Sequence, residues 1–595
     1  MTQQNFATAL ARLAKTSAAL ALLGAASMTA VQAETKSEEP QIEVGRSLSG
    51  NYLAARIANT DKDTESASQF FRGAMALDPD NVELKQRAFQ TFIANGNFDE
   101  GVSLGKQLTQ ANMAPEMASI ILAVDRIRAK EWTAAERELS KDWRSALDRL
   151  LAGLVLGWAQ AGDNRPEEAL ATVDALTGPA WFDLFVDYHG GLIALHSGDS
   201  NGAIQRLTKA FDNRAAGRAA TVTYMRVVQA LAVAHWKAGN REKAKEMADH
   251  AIAAQPQNPV FEEMHARVVS GQGLNNPFTS AQRGAAEVFL NLGTAINRDG
   301  GEDFARVYLQ LANVLASKDE TIMIQLADLY DQQNLMLRAN ALFAKIPPES
   351  PYFRTAQLEV AINLDALDRF DEAQSILDSL IKTAPDDLTT HLAYGAVLAR
   401  HEKFAEAIPV YTSLIERLEQ PERYHWSLFY RQGIAYERTK QWEKAEVAFN
   451  KALELYPDEP NVLNYLGYSW IDMGINLEKG LELVQRAVDI RPNDGYIVDS
   501  LGWAYYRLGD YDKAVEHLER AVSLRPGDPT INDHLGDAYW MADRKLEATF
   551  QWRQALALEP PSEEEAKAIL DKLENGFKEP SPRLAKPEET KPDNG

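Results

Sequence analysis

The sequence predicts an all-α fold, a solenoid of about fourteen stacked helical hairpins in two arrays. Three observations predict it. Small residues recur in pairs about twelve positions apart, and the pairs repeat about every 34 residues. Prolines close the C-terminal units at the same phase, at 457, 492, 526 and 560. Finally, 45% hydrophobic and 25% charged residues is the balance of a soluble folded chain, and zero cysteines leave packing alone to hold it.

Taken in chain order, residues 1–33 read as a cleaved signal peptide. Arg12 and Lys15 lead into a small apolar run from Thr16 to Ala30, and Val31-Gln32-Ala33 presents small residues to a signal peptidase. The run, roughly 15 residues, is short for a membrane span of about 20. Export to the periplasm of a Gram-negative cell is the expectation, and without a cysteine the mature chain is not a lipoprotein. Residues 34–46 form a linker, 47–270 a first array, 271–284 a hinge and 285–560 a second array. A capping helix follows over 561–577, and the Pro-, Glu- and Lys-rich 578–595 is expected to be disordered.

The hairpins are read from their crossing points. Two antiparallel helices approach to about 8–10 Å only where small side chains meet, so a Gly or Ala is required on each. Four clear copies are Gly433/Ala445, Gly467/Gly480, Gly502/Ala514 and Gly536/Ala548. The same ruler extends upstream through Ala55/Ala67, Phe89/Gly101, Ala123/Ala135, Gly157/Ala169, Gly191/Ala203, Ala232/Ala244, Gly293/Ala305, Ala327/Ala339, Ala361/Ala373 and Gly395/Ala407. Only Phe89 breaks the rule. The phase slips near Asp212 to Arg218 and at Glu419-Gln420-Pro421, where long loops are expected. The widest gap holds Gly271-Gln272-Gly273-Leu274-Asn275-Asn276-Pro277, a breaker cluster read as the hinge. Ser562 with Glu565 is a capping box that starts the last helix.

In the last units Leu-Gly-x-x-Tyr, then Ala-x-x-x-Phe or a similar large residue, then Pro, resembles the tetratricopeptide repeat (TPR). The resemblance implies a right-handed superhelix whose concave face is lined by the first helix of each hairpin. It places groove positions three and two residues before the glycine and one and five after it. Here these are Tyr430, Arg431, Ile434 and Arg438; Asn464, Tyr465, Tyr468 and Asp472; Asp499, Ser500, Trp503 and Arg507; and Asp533, His534, Asp537 and Met541. Tyr468 and Trp503 read either as anchors for a partner or as core, whereas Tyr506 and Trp540 read as structural. With four aspartates among these groove positions, an extended partner segment carrying apolar and basic side chains is expected. Trp503→Ala is expected to weaken its binding by about 2 kcal/mol or more.

Chemistry is sparse. The ten histidines are scattered, none in an H-E-x-x-H pattern, so no metal is expected; His189 and His196 read as packing residues. No glycine cluster carries the lysine of a phosphate loop. With 62 basic against 85 acidic side chains, a formal charge of −23, nucleic acid would be repelled. No cofactor is implied and the chain reads as a non-enzyme.

The stretch from Asn464 through Gly467-Tyr468, Asp499-Ser500-Leu501-Gly502-Trp503 and Tyr506-Arg507-Leu508-Gly509 to His534-Leu535-Gly536 also resembles a family of proteobacterial envelope TPR adaptors. Members bind a periplasmic C-terminal processing protease and present cell-wall hydrolases to it. The resemblance implies a scaffold with protein or peptide partners in the cell envelope, but the lipid anchor of those proteins needs a cysteine that this chain lacks. The alternative is a peptidoglycan- or glycan-binding module using groove aromatics as stacking platforms.

Overall fold

The computed structural model describes residues 44–256, 258–274, 276–297, 301–558 and 562–577. The signal peptide, most of the linker and the C-terminal tail lie outside the described residues. Among those described there are thirty-one α-helices and no strand. Twenty-eight of the helices pair into fourteen hairpins, from Leu48–Thr60 with Thr64–Leu77 to Pro529–Met541 with Lys545–Ala557.

Every crossing residue named above is buried. Between Gly467 and Gly480 backbone meets backbone, and a Cβ on Gly467 would stand 2.7 Å from the Gly480 carbonyl oxygen. At the exception, Phe89 is fully buried and glycines make the room, since a Cβ at Gly105 would lie 3.3 Å from the Phe89 ring. Each described hairpin turn reverses through a left-handed residue ahead of the second helix. Lys62, Lys130, Asn164, Lys440 and Asp543 take this role as non-glycines, at about 1–2 kcal/mol each. The extra residue between Gly467 and Gly480 is absorbed by two left-handed positions, Gly474 and Asn476.

The prolines end second helices as expected. Tyr456, Arg491 and Arg525, each preceding a proline, have ψ of 86°, 70° and 66° and leave the helical region, because the ring of the next residue disfavours it. One expected loop is instead a short helix, Arg214–Ala219, capped by Asn213.

The chain divides into two compact units at Ala373–Gln374. The expected divide at 271–284 is corrected by the packing there. Phe278 is 1% exposed, lies edge-on to Tyr188 and carries Arg226 over its ring. Helix Ala281–Ile296 then starts inside the supposed hinge. The breaker cluster thus turns the chain back into the first unit and does not end it.

In the first unit, Ala281–Ile296 lies against the first helices Ala146–Gly162, Phe182–His196 and Thr221–Lys237, and Glu302–Leu315 lies against Val82–Asn95 and Glu116–Arg128. Eleven of the sixteen residues of Ala281–Ile296 are buried, so it is core on nearly all sides. A Cβ at Gly284 would stand 2.4 Å from the Trp158 indole, a close approach only glycine permits. At its centre Glu287, 1% exposed, accepts two hydrogen bonds from Arg226, at 2.9 and 2.5 Å, and one from Tyr188 at 2.9 Å. Burial pushes the Glu287 carboxyl up, but the charge and hydrogen bonds of Arg226 outweigh it and the net shift is downward. This hairpin and the next reach back to the start of the unit: Lys62 pairs with Glu302, Arg306 donates to the Lys62 carbonyl at 3.2 Å, and Arg338 of Met336–Phe343 pairs with Glu65. The face that the first helices of this unit present is filled by its own seventh hairpin.

In the second unit, first helices touch their successors: Leu388–Arg400 meets Trp426–Arg438, and Gly495–Arg507 meets both Pro460–Asp472 and Pro529–Met541. Tyr430 and Tyr465 join the remaining neighbours, with ring centroids 6.0 Å apart. No second helix here meets another second helix to that extent, so the first helices lie on the inner side of the curve. Glu563–Asn575 closes the stack, with Ser562 capping it by accepting from the Glu565 amide and Ile569 buried.

Candidate partner-binding site on the second unit

The first helices of the second unit begin at acidic caps. Glu459, Asp494 and Asp528 each accept a backbone N–H of the opening turn, which fixes where Pro460–Asp472, Gly495–Arg507 and Pro529–Met541 start. Groove positions then follow at helical spacing, and successive hairpins bring equivalent positions side by side.

All five predicted carboxylate and arginine positions in the last three hairpins are already paired. Asp472 accepts from Arg507 at 2.7 Å, one repeat on. Asp499, 8% exposed, accepts from His534 at 3.0 Å, again one repeat on. Asp533 and Asp537 both receive Lys572 of the closing helix, at 2.8 Å, and Asp537 also accepts from Trp552 Nε1 at 3.0 Å. Asp537 is 4% exposed, so this position is corrected from groove surface to buried support. The acidic character expected of the groove is therefore consumed within the protein.

The electrostatics follow from this crowding. Burial lowers the His534 pKa, but the charge and hydrogen bond of Asp499, joined by Asp533 and Asp537, outweigh it and raise it. Burial and the neighbouring Asp533 push Asp537 up to about 6, against Lys572 and His534. Lys572 is itself raised, because Asp537 and Asp533 outweigh its own desolvation. Two carboxylates on one ammonium leave one negative charge unmatched, so both shifts belong together.

The aromatics divide. Trp503 is stacked between Tyr506, 4.6 Å away at 15°, and His534, 4.2 Å away at 21°. Both faces of its ring are covered and its Nε1 is buried with no partner. Tyr430 is half-buried among Trp426, Phe449 and Tyr465. Tyr468 is half-buried, and burial, helped by Asp472 and Asp499, raises its hydroxyl. Asn464 is half-buried, with Oδ1 buried and unpartnered.

The hairpin before these differs in charge. On Trp426–Arg438, Arg431, Ile434 and Arg438 stand at i, i+3 and i+7, one face of the helix. Arg431 is half-buried beside the Tyr411 hydroxyl, and Arg438 is exposed over the Phe404 ring at 5.1 Å. Neither arginine forms an ion pair among the described residues.

Sequence reasoning missed Lys572 and Trp552 as partners of the last aspartates. Two of the pairs did carry a signal, since Asp472/Arg507 and Asp499/His534 are each 35 residues apart, one repeat, with complementary groups. No three His, Cys, Asp or Glu side chains gather as metal ligands among the described residues. His189 is fully buried, accepts from Trp158 Nε1 at 3.2 Å and is pushed by burial down to about 4.

Profiles described as TPR repeat or tetratricopeptide repeat match residues 150–175, 226–258, 360–420, 426–459 and 502–543. The chain is a tetratricopeptide-repeat protein. Among curated relatives, the TPR repeat-containing protein PA4667 of Pseudomonas aeruginosa is 28% identical over 186 residues, 31% of this chain and 30% of that protein. The human mitochondrial import receptor subunit TOM70 is 22% identical over 239 residues, 35% of this chain and 38% of that one. This TPR chain thus spans about a third of the length of these relatives. Among solved structures, the Cut9–Hcn1 hetero-tetramer of the APC/C aligns over 90% of this chain and 97% of that one, at 12% identity and a TM-score of 0.36. YrrB, a TPR protein with an unusual peptide-binding site, aligns over 31% and 92% respectively, at 18% identity and a TM-score of 0.26. No helix among the described residues is long and apolar enough to cross a membrane.

Proposed function

We propose that this TPR protein is a non-catalytic scaffold that holds a protein or peptide segment along the first helices of its second unit. The observation that carries the reading is the contrast in occupancy. The first unit fills its first-helix face with its own seventh hairpin, whereas in the second unit the closing helix reaches only the last hairpin, through Lys572 on Asp533 and Asp537, and no described element packs to a comparable extent across the first helices before it. Exposed and half-buried cationic, apolar and neutral polar side chains, Arg431, Ile434, Arg438, Tyr468 and Asn464, remain there.

The compartment belongs to the same reading. The leader at residues 1–33 supports export to the periplasm, and the likeness of residues 464–536 to envelope adaptors supports a role in presenting clients to an envelope protease or assembly. The glycan alternative is less well supported, because a sugar stacks on an open ring face and Trp503 offers none.

The test is a photo-crosslinking amino acid placed at Tyr468, and separately at Glu482 on the outer face of a second helix, in living cells. One protein trapped from Tyr468 and absent from Glu482 is the expected result. Equal trapping at both sites, or trapping of glycan alone, would refute the groove reading. Fractionation of the same cells tests the compartment, and a cytoplasmic chain would refute export.

A further inference from the structure

The inner face of the second unit is less acidic, as the structure leaves it, than its aspartates suggest. Asp472, Asp499, Asp533 and Asp537 are each within ion-pair distance of a cation supplied by the next repeat or the closing helix. Arg431 and Arg438, on the hairpin before them, have aromatic neighbours and no ion-pair partner among the described residues. Two turns apart, they are separated by about 10 Å along the helix, with Ile434 between them. Their side chains hold ten N–H donors between them, and an aromatic ring satisfies few.

We propose that Arg431 and Arg438 are specificity-determining residues that select an extended partner segment bearing internal aspartate or glutamate side chains, with apolar residues running on toward Ile434 and Tyr468. The inference rests on the groove reading above and adds the sign of the partner's charge. The ligand group is a side-chain carboxylate and not a chain terminus, because hairpins continue on both sides of Trp426–Arg438, from Leu388–Arg400 to Pro529–Met541, so that an extended segment runs on past the arginines in both directions. Arginine suits the role, since its planar fork pairs with a carboxylate through two parallel hydrogen bonds. The overall charge of −23 makes local cations on one face a selective feature.

The experiment titrates the full chain with two fluorescein-labelled dodecapeptides, amidated at the C-terminus, that alternate Leu or Phe with Glu in one and with Lys in the other. The Glu peptide is expected to bind at least about tenfold more tightly. Arg431→Gln/Arg438→Gln should remove that preference, and Lys444→Gln/Lys451→Gln on the second helix should leave it intact. The inference is overturned by tighter binding of the Lys peptide, by a Glu preference that survives Arg431→Gln/Arg438→Gln, or by binding that appears only with a free terminal carboxylate. If Tyr468→Ala abolishes binding of both peptides equally and neither is preferred, the groove stands and the charge selection falls. If neither peptide binds the wild-type chain, the groove reading fails with it.

Discussion

The two units follow one construction rule and use it to opposite ends. In both, a small residue on each helix lets a hairpin close, and the crossings are buried from Ala55 to Ala548. In the first unit, however, Ala281–Ile296 returns to lie on the first helices that precede it, and a fully buried carboxylate fixes it there. In the second unit, charged groups are spent on joining each repeat to the next. The repeat therefore sets the hairpin, while a few non-local contacts decide whether the inner face is core or surface.

The largest test of that contrast is Glu287→Ala. It strands the Arg226 guanidinium in the interior, which costs about 3–5 kcal/mol, whereas replacing both partners by methionine should be close to neutral. Hydrogen exchange should rise across Phe182–His196 and Thr221–Lys237 and stay unchanged across Gly495–Arg507. Equal loosening of both stretches would mean that the two units do not unfold separately.

Two buried sites, one in each unit, should answer pH in opposite directions. His189 has a folded pKa of about 4 against an ordinary 6.5. Between these values the unfolded chain binds the extra proton, so the contribution of the His189 site falls by up to about 3 kcal/mol as pH falls from 6.5 to 4. Glu287, also depressed, adds to the loss as pH falls below its ordinary value of 4.5. In the second unit Asp537, at about 6, binds its proton more readily folded, so stability is lost as pH rises from 3.8 through about 6. The raised His534 extends that loss, its contribution being complete below 6.5 and vanishing as pH rises through the higher folded value. Hydrogen exchange of Phe182–His196 and of Pro529–Met541 at pH 5 and pH 7 measures the two sites, and a common direction would contradict the assignment.

A smaller effect separates two crossings. A Cβ at Gly467 would meet the Gly480 carbonyl oxygen at 2.7 Å, a backbone atom that cannot yield alone. Gly467→Ala should cost about 1–3 kcal/mol. At Gly293 in the first unit the nearest neighbour is the Tyr308 Cβ at 3.2 Å, and alanine's better helix propensity, about 1 kcal/mol, offsets the crowding. Gly293→Ala should shift the melting temperature little.

Most of the hairpins were legible because the crossing constraint is local and periodic: Gly and Ala twelve residues apart can be read without knowing what the hairpin touches. The filling of the first unit was not legible. Tyr188 and Glu287 are 99 residues apart, and within Ala286-Glu287-Val288 nothing marks the carboxylate as buried. The breaker cluster at 271–277 was visible, but a turn away from an array and a turn back into it look alike in sequence. In the site, Asp499 and Asp537 occupied the right positions for a groove, and only the side chains one repeat on decide that they face inward to His534 and Lys572. Trp503 was ambiguous for the same reason: its two covering rings come from its own helix and from the next hairpin. Trp503→Ala would therefore lower stability together with binding, and Tyr468→Ala is the cleaner probe of a partner.

The smallest predicted change in stability is the most useful for the groove. Asp472 and Arg507 are 53% and 27% exposed, so their pair is screened by water and Asp472→Asn should change stability by less than about 1 kcal/mol. The substitution nevertheless alters the charge a partner meets, because it releases Arg507 to join Arg431 and Arg438 as a third uncompensated arginine. If the inner face selects acidic segments, the Glu-containing peptide should bind Asp472→Asn a few-fold more tightly than wild type, and added salt should erase the gain. A tighter Lys peptide, or no change at low salt, would place the binding surface away from the line of first helices.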